Sequence, residues 1–317
     1  MRVARSLEEA AQFAPVAVTI GNFDGVHCGH RRLLQTVVAA AQEKAVAPAV
    51  LTFDPHPASV VASHGAFRLL TTQAERCSMM AREGIEYVLI LPFTRQLSFW
   101  TPEQFVERVL HQTLGARVVV VGGNFRFGHN QAGDISTLAE LGKRYGFEER
   151  IVPPVRRRGR LVSSSEIRRS VEAGGVSLAG RLLERPFSLE GEVIPGRGVG
   201  SKQAVPTLNL KTTAQVLPAV GVYITRTYDL DSGRAWNSVT NVGFRPTFHD
   251  GEGLSIESFL LESFEPPAPQ LIRVEFLRRI REERKFETPE ALRMQILQDV
   301  SRAQAFFRRR QKWVAAV

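Results

Sequence analysis

The sequence predicts an α/β domain followed by a small β-barrel, two domains in a chain of 317 residues. Three observations carry this reading. In the first half, short and nearly continuous apolar runs alternate with amphipathic helical stretches, the pattern of a parallel sheet covered on both faces. Beyond about residue 184 the pattern changes to closely spaced strand-like runs with turn signals between them, which fits a barrel. The length itself exceeds that of one ordinary domain. The expected domains are therefore 1–183 and 184–317.

The elements follow in order. "VAVTI" (16–20) reads as a buried strand, then comes a glycine-rich turn. A helix over 31–45 follows, with Leu33, Leu34, Val37, Val38 and Ala41 on one face. "PAVLTF" (48–53), "EYVLILPF" (86–93) and "ARVVVVGG" (116–123) are further strands. Between the last two, Thr101, Pro102 and Gln104 form an N-cap, a favoured first helical residue and a capping box. In the second half, strands are expected in "SLEGEVI", "VPTLNL", "GVYITRTYDL", "WNSVTNVGF", "SIESFLLES" and "LIRVEFLRRI", with a hairpin at "DSG" (231–233). A last helix starts at Thr288 and Pro289, and Leu292, Ile296, Val300 and Ala303 are expected to form its buried face.

Composition excludes several classes. Two cysteines do not make a disulfide framework and fit a reducing compartment. The first residues carry Glu8 and Glu9 where a secretory signal would need an apolar run, and no stretch approaches a membrane span. A cytoplasmic protein with no membrane partner is expected. The net charge of +9 favours anionic ligands. The basic clusters at 156–160, 278–285 and 308–312 read first as solvated faces and helix ends. The first two lack the interleaved aromatics of a base-stacking surface, so no stable nucleic-acid partner is expected. A homo-oligomer is compatible with everything in the sequence.

The stretch "GNFDGVHCGH" (21–30) sits where the chemistry of an α/β sheet concentrates, between the first strand of that series and a helix. A metal site would need further ligands beside His27 and His30. A nucleophilic Cys28 would need a base and an oxyanion site. A phosphate cradle uses every feature: glycines let the backbone approach, the helix start offers free N–H groups, and the histidines can stabilise charge on phosphorus. Downstream, Ser163 with Glu166 suits a capping box, and "SSSEIRRS" (163–170) offers hydroxyls and Arg168 for phosphate oxygens. In the second half, "GRGVGSK" (196–202) is not a P-loop and reads as a flap; Thr207 and Asn209 share one face of a strand as hard oxygen ligands. Glu257, in an apolar strand, is a rim residue or a general base.

Taken together, these motifs resemble the bacterial bifunctional riboflavin kinase/FAD synthetase family. "GNFDGVHCGH", "TFDPHP" (52–57), "GGNFRFG" (122–128) and "SSSEIR" resemble its FMN adenylyltransferase module. "LLERPFSLEGEVIPGRGVG" (182–200), "VPTLNL" (205–210), "NVGFRPTF" (241–248), "IESFLL" (256–261) and "RIREERKFETPEALRMQI" (279–296) resemble its riboflavin kinase module. The resemblance implies a Rossmann-like nucleotidylyltransferase domain and a six-stranded antiparallel β-barrel kinase domain with a terminal helix. It implies phosphorylation of riboflavin by ATP to FMN, then adenylylation of FMN by ATP to FAD and pyrophosphate, with Mg²⁺ serving both.

By that resemblance His27, His30 and Glu257 are catalytic. Gly21, Asn22, Phe23, Asp24, Ser164, Ser165 and Arg168 bind ATP for adenylylation, and His56, Asn124 and Phe125 lie toward the flavin. Gly196, Gly198, Thr207 and Asn209 bind ATP in the kinase, with Thr207 and Asn209 on the metal. Three departures from the family pattern stand out: Asn124 where Asp is usual, Gln131 where Arg is usual, and "SKQAV" lengthening the loop before Pro206. They leave two alternatives: a kinase with weakened FAD synthesis, and a flavin-dependent RNA-binding or regulatory protein.

Overall fold

The structure, a computed structural model, describes residues 1–61, 68–195, 207–244, 254–262 and 267–314. By its internal contacts the chain forms two compact units, Met1–Ser164 and Ser165–Val317.

The first unit is built on a six-stranded, all-parallel sheet. Its strands are β1 (Arg2–Ala4), β2 (Val16–Ile20), β3 (Ala47–Asp54), β4 (Tyr87–Pro92), β5 (Val118–Gly122) and β6 (Glu148–Val152), in the order β1-β4-β3-β2-β5-β6. β2 is buried along its whole length, which is why its sequence is uninterruptedly apolar apart from Thr19. The sheet has one core on each face. Leu34, Val37 and Ala41 of the helix Cys28–Lys44 pack on one face with Val50 and Val88; Phe105, Val109 and Leu110 cover the other with Val18 and Val119. The capping box at Thr101 and Gln104 forms as expected, but beyond Phe105 the helix widens into a π-helical run, Val106–Thr113. The strand order reverses direction at β2, so its carboxyl end faces a crevice at the switch point of the sheet.

The second unit contains a closed barrel of β9 (Phe187–Ile194), β10 (Thr207–Lys211), β11 (Gly221–Asp229), β12 (Ala235–Phe244), β13 (Leu254–Leu260) and β14 (Leu271–Arg281), in the order β10-β13-β12-β11-β14-β9. Every pairing is antiparallel. Register sets what faces inward. Leu208, Leu210, Ile256, Val274 and Phe276 fill one part of the interior; Thr225, Thr227, Ser238, Thr240 and Ser258 fill another. These five hydroxyls are fully buried and satisfy one another at 2.7–3.2 Å, so the polar part of the barrel costs little. The helix Val176–Leu183, ahead of β9, belongs to this unit: Ser177 Oγ donates to Leu277 O at 2.7 Å.

The terminal helix, Pro289–Val314, corrects one expectation. Its buried face is Gln295, Asp299, Ala303 and Phe307, while Leu292 is 37% exposed and Ile296 and Val300 are only half-buried. The spacing is helical in both cases; the stripe is rotated. Two arginines cause the rotation. Arg281 binds Asp299 through two nitrogens at 2.9 Å, and Arg284 donates to Gln295, whose amide bridges back to Asp299. A hydrophobicity count assigns Gln and Asp to solvent, but here charge-assisted hydrogen bonds place them inside.

Candidate functional sites

The first site forms at the carboxyl end of β2. The chain leaves Gly21 through a turn in which Phe23, Gly25 and Val26 all have positive φ, 52°, 78° and 36°. For a phenylalanine and a β-branched valine this conformation costs of order 1–3 kcal/mol each, so something must hold it. Asp24 does so. Its carboxylate is 1% exposed and accepts from the backbone of Leu70 at 2.9 Å and of Thr71 at 3.2 Å. Thr71 Oγ1 in turn accepts from Gly25 N at 3.0 Å. Arg76, itself 4% exposed, donates to Asn22 O at 2.9 Å, and Ser164 Oγ donates to Asp24 O at 2.9 Å.

This turn delivers two imidazoles to the start of the helix Cys28–Lys44. His27 is its N-cap, and its Nδ1 accepts from His30 N at 3.2 Å. A neutral imidazole accepting at Nδ1 carries its proton on Nε2, so the other nitrogen of His27 is a donor. The two rings stack with centroids 3.6 Å apart and planes 15° apart, and Phe23 supports His30 from 5.1 Å. Gly29 leaves room for this stack: a Cβ there would sit 3.2 Å from the ring atoms of His27, a tight contact. Cys28 is buried.

The other residues expected at this site are placed as follows. Asn22 is half-buried, and Phe23 and Asp24 are buried. His56 is half-buried, with Nδ1 accepting from Ala58 N at 3.1 Å. Asn124 and Gln131 are exposed, and Phe125 stacks on Phe127 with centroids 5.3 Å apart. Arg126 pairs with Asp134, whose carboxyl is held down to about 2, chiefly by hydrogen bonds from Ser136 and Thr137. Ser165 and Arg168 belong to the second unit by contact; there Arg168 Nη1 donates to Ser165 Oγ at 3.4 Å.

Asp24→Ala leaves two buried amides without acceptors, each costing about 1–3 kcal/mol. Asp24→Asn keeps one accepting oxygen and is expected to lose less. Urea unfolding of the first domain, followed for both variants, checks the order.

The second site lies on the outer face of the barrel. β13 is flanked by β10 and β12, and register sets Glu257 opposite both Asn209 and Asn241. Ser255 Oγ donates to Glu257 Oε1 at 3.0 Å. Asn241 Nδ2 donates to Glu283 Oε1 at 3.3 Å. Thr207 Oγ1 is buried and has no hydrogen-bond partner among the described residues. Gly196, Gly198 and the lengthened loop 200–206 lie outside the described residues.

Arg76, Ser255, Asn241 and Glu283 were not expected from the sequence. Arg76 had a signal: it stands four residues before the buried Met80, on the apolar face of the helix Gln73–Arg82. Asn241 and Glu283 had none, because only the sheet register sets Asn241 opposite Glu257 and only the fold brings Glu283 to Asn241. Among the described residues no group of three or more His, Cys, Asp or Glu side chains could hold a metal ion.

The family model for FAD synthetase matches residues 9–166, and that for riboflavin kinase matches 183–307. A bifunctional riboflavin kinase/FMN adenylyltransferase from Pseudomonas fluorescens is 34% identical over 90% of this chain and 91% of its own length. The protein of the same name from Escherichia coli strain K12 is 33% identical over 97% of both chains. A solved structure described as a macrolide-efflux protein from Streptococcus pneumoniae has a TM-score of 0.86 at 27% identity, covering 96% of this chain and 98% of its own. Among the described residues no helix is long and apolar enough to cross a membrane.

Proposed function

The chain belongs to the bifunctional riboflavin kinase/FMN adenylyltransferase family and carries both of its domains, and on that premise we propose how its residues divide the work. It is an ATP-dependent enzyme of FAD synthesis. The functional boundary falls at 183/184, supported by the start of the riboflavin kinase match at residue 183.

In the kinase, Glu257 takes the proton of the terminal ribityl hydroxyl as that oxygen attacks the γ-phosphorus of ATP. The bond to ADP breaks and FMN forms. The row Asn209–Glu257–Asn241 is the observation that carries this assignment. A carboxylate there can reach solvent-borne substrate while Ser255 fixes one of its oxygens. The Thr207 hydroxyl, buried without a protein partner among the described residues, and the Asn209 amide oxygen suit Mg²⁺. When bound, such an ion neutralises charge on the ATP phosphates.

In the adenylyltransferase, a phosphate oxygen of FMN attacks the α-phosphorus of a second ATP and pyrophosphate leaves. No covalent enzyme intermediate is required; positioning and charge stabilisation suffice. The Nε2–H of His27 and the ring of His30 stabilise charge as it builds on the phosphates. Ser164, Ser165 and Arg168 hold the leaving pyrophosphate. Gly21 and Asn22 line the nucleotide site, with Phe23 and Asp24 as its floor; His56, Asn124 and Phe125 lie toward the flavin. Gly196 and Gly198 bind the kinase ATP. Free Cys28 and Cys77 fit a cytoplasmic location.

Chromatography of the flavins formed from riboflavin and Mg-ATP tests the whole reading. FMN followed by FAD is expected. FMN accumulating under excess ATP would favour the kinase with weakened adenylylation, the reading to which Asn124 and Gln131 point. Neither product would remove both.

A further inference from the structure

Two basic clusters that the catalytic reading leaves unused meet in space. Arg278 and Arg279 at the end of β14 and Arg302, Arg309 and Arg310 on the terminal helix line one cavity of about 690 Å³. Along the helix, Arg302, Ala305, Phe306 and Arg309 recur at i, i+3, i+4 and i+7, so they share one face. Ile224, Ile280 and Phe306 give the cavity an apolar floor. No carboxylate pairs with Arg278, Arg302, Arg309 or Arg310 among the described residues; Arg279 donates to Val220 O at 2.7 Å and reaches the exposed Glu282 at 4.0 Å.

Arg279 serves the fold through Val220 O, but the other four guanidinium groups around the apolar floor are not arranged for folding. They repel one another, and a helix needing only solubility would alternate its charges. Guanidinium is the group best matched to phosphate, because its planar fork donates two parallel hydrogen bonds. The floor asks for more than inorganic phosphate, and the volume lies in the range of small-molecule sites. Phe306 supplies an aromatic ring to the lining, a suitable neighbour for a flat partner.

We propose that this cavity binds a nucleotide, with its phosphates on the arginines and its base against Phe306 and Ile280. The site is separate from the kinase row. In the closed barrel β14 stands three strands from β13 in either direction, and the terminal helix packs on Val222, Ile224 and Val239 between them. Nucleotide held there presses on the helix whose buried Asp299 and Gln295 grip Arg281 and Arg284, on either side of Glu283. Occupancy can thereby reach Asn241 and Glu257.

The test is a titration of the full chain with a fluorescent N-methylanthraniloyl ADP at fixed salt. Three proteins are compared: wild type, Arg302→Gln/Arg309→Gln, and Ala305→Trp. The first variant removes charge and the second fills the cavity while keeping every arginine. Wild type is expected to bind one more equivalent per chain than Ala305→Trp. The double variant should bind that equivalent at least about tenfold more weakly, since each lost charge-assisted bond is worth about a factor of ten or more. The kinase KM for ATP should be unchanged in both. Equal stoichiometry and affinity in all three proteins would overturn the proposal. A KM for ATP that rises with the lost equivalent would assign the cavity to the kinase site instead and overturn it as a separate site. Salt-sensitive binding of single-stranded RNA that needs the arginines, with the ADP count unchanged by Ala305→Trp, would replace the nucleotide by a nucleic acid.

Discussion

Glu257→Gln is expected to lower the kcat of riboflavin phosphorylation by about 10²–10⁴, the usual contribution of a general base. The substitution is nearly isosteric. The amide oxygen can still accept from Ser255 Oγ, which lies 3.0 Å from the carboxylate. The strand is held by pairing to β10 and β12 and does not depend on the charge. The KM for ATP should therefore change little, because its proposed ligands are Thr207 and Asn209. Conversion of supplied FMN to FAD should stay at the wild-type rate, since that chemistry belongs to the other domain. Steady-state kinetics with riboflavin, and separately with FMN, make the comparison. A kcat reduced less than about threefold would remove Glu257 as the base, which by the usual size of that effect must cost far more. Asn241→Leu gives a companion measurement. It removes the donor to Glu283, and if Asn241 only positions its neighbours, the loss should be smaller than for Glu257→Gln.

The barrel was readable because its strands alternate. Leu208 and Leu210 point inward, so Thr207 and Asn209 must point outward, and the period of two says so without coordinates. The partners of Glu257 were not readable, because register between strands 48 residues apart in sequence, such as Asn209 and Glu257, leaves no local trace. The sheet of the first domain shows the same limit. β2 to β5 announce themselves as apolar runs, whereas β1, three residues long, and β6, with Glu148, Glu149 and Arg150, lie at the edges and carry no such signal. The phosphate cradle was legible in its histidines and glycines. Its restraint was not: the buried carboxylate of Asp24 reads from the sequence as a nucleotide contact, and only the fold shows it holding residues 70 and 71. The buried face of the terminal helix departs from its hydrophobic pattern for a related reason. Asp299 looks like a solvent residue until Arg281, 18 positions earlier, is brought against it.

His30→Ala is expected to lower FMN adenylylation by about 10²–10³, as removal of one preorganised donor does at other charge-developing sites, and to leave the kinase intact. With riboflavin and ATP as substrates, FMN should accumulate. His27 needs a different variant, because it has two roles. As N-cap it accepts from His30 N at 3.2 Å, and as a stacked ring 3.6 Å from His30 it presents Nε2–H outward. His27→Ala loses both, and the cap alone is worth about 1 kcal/mol. His27→Asn keeps a good capping oxygen and removes only the imidazole. If His27 acts on phosphate, both variants lose adenylylation alike, but only His27→Ala lowers the unfolding midpoint. If His27 serves the fold alone, His27→Asn keeps its activity. Activity and urea midpoint measured on the same two proteins decide between these outcomes, and retention of FAD synthesis by His27→Asn would leave His30 as the sole histidine acting on the nucleotide.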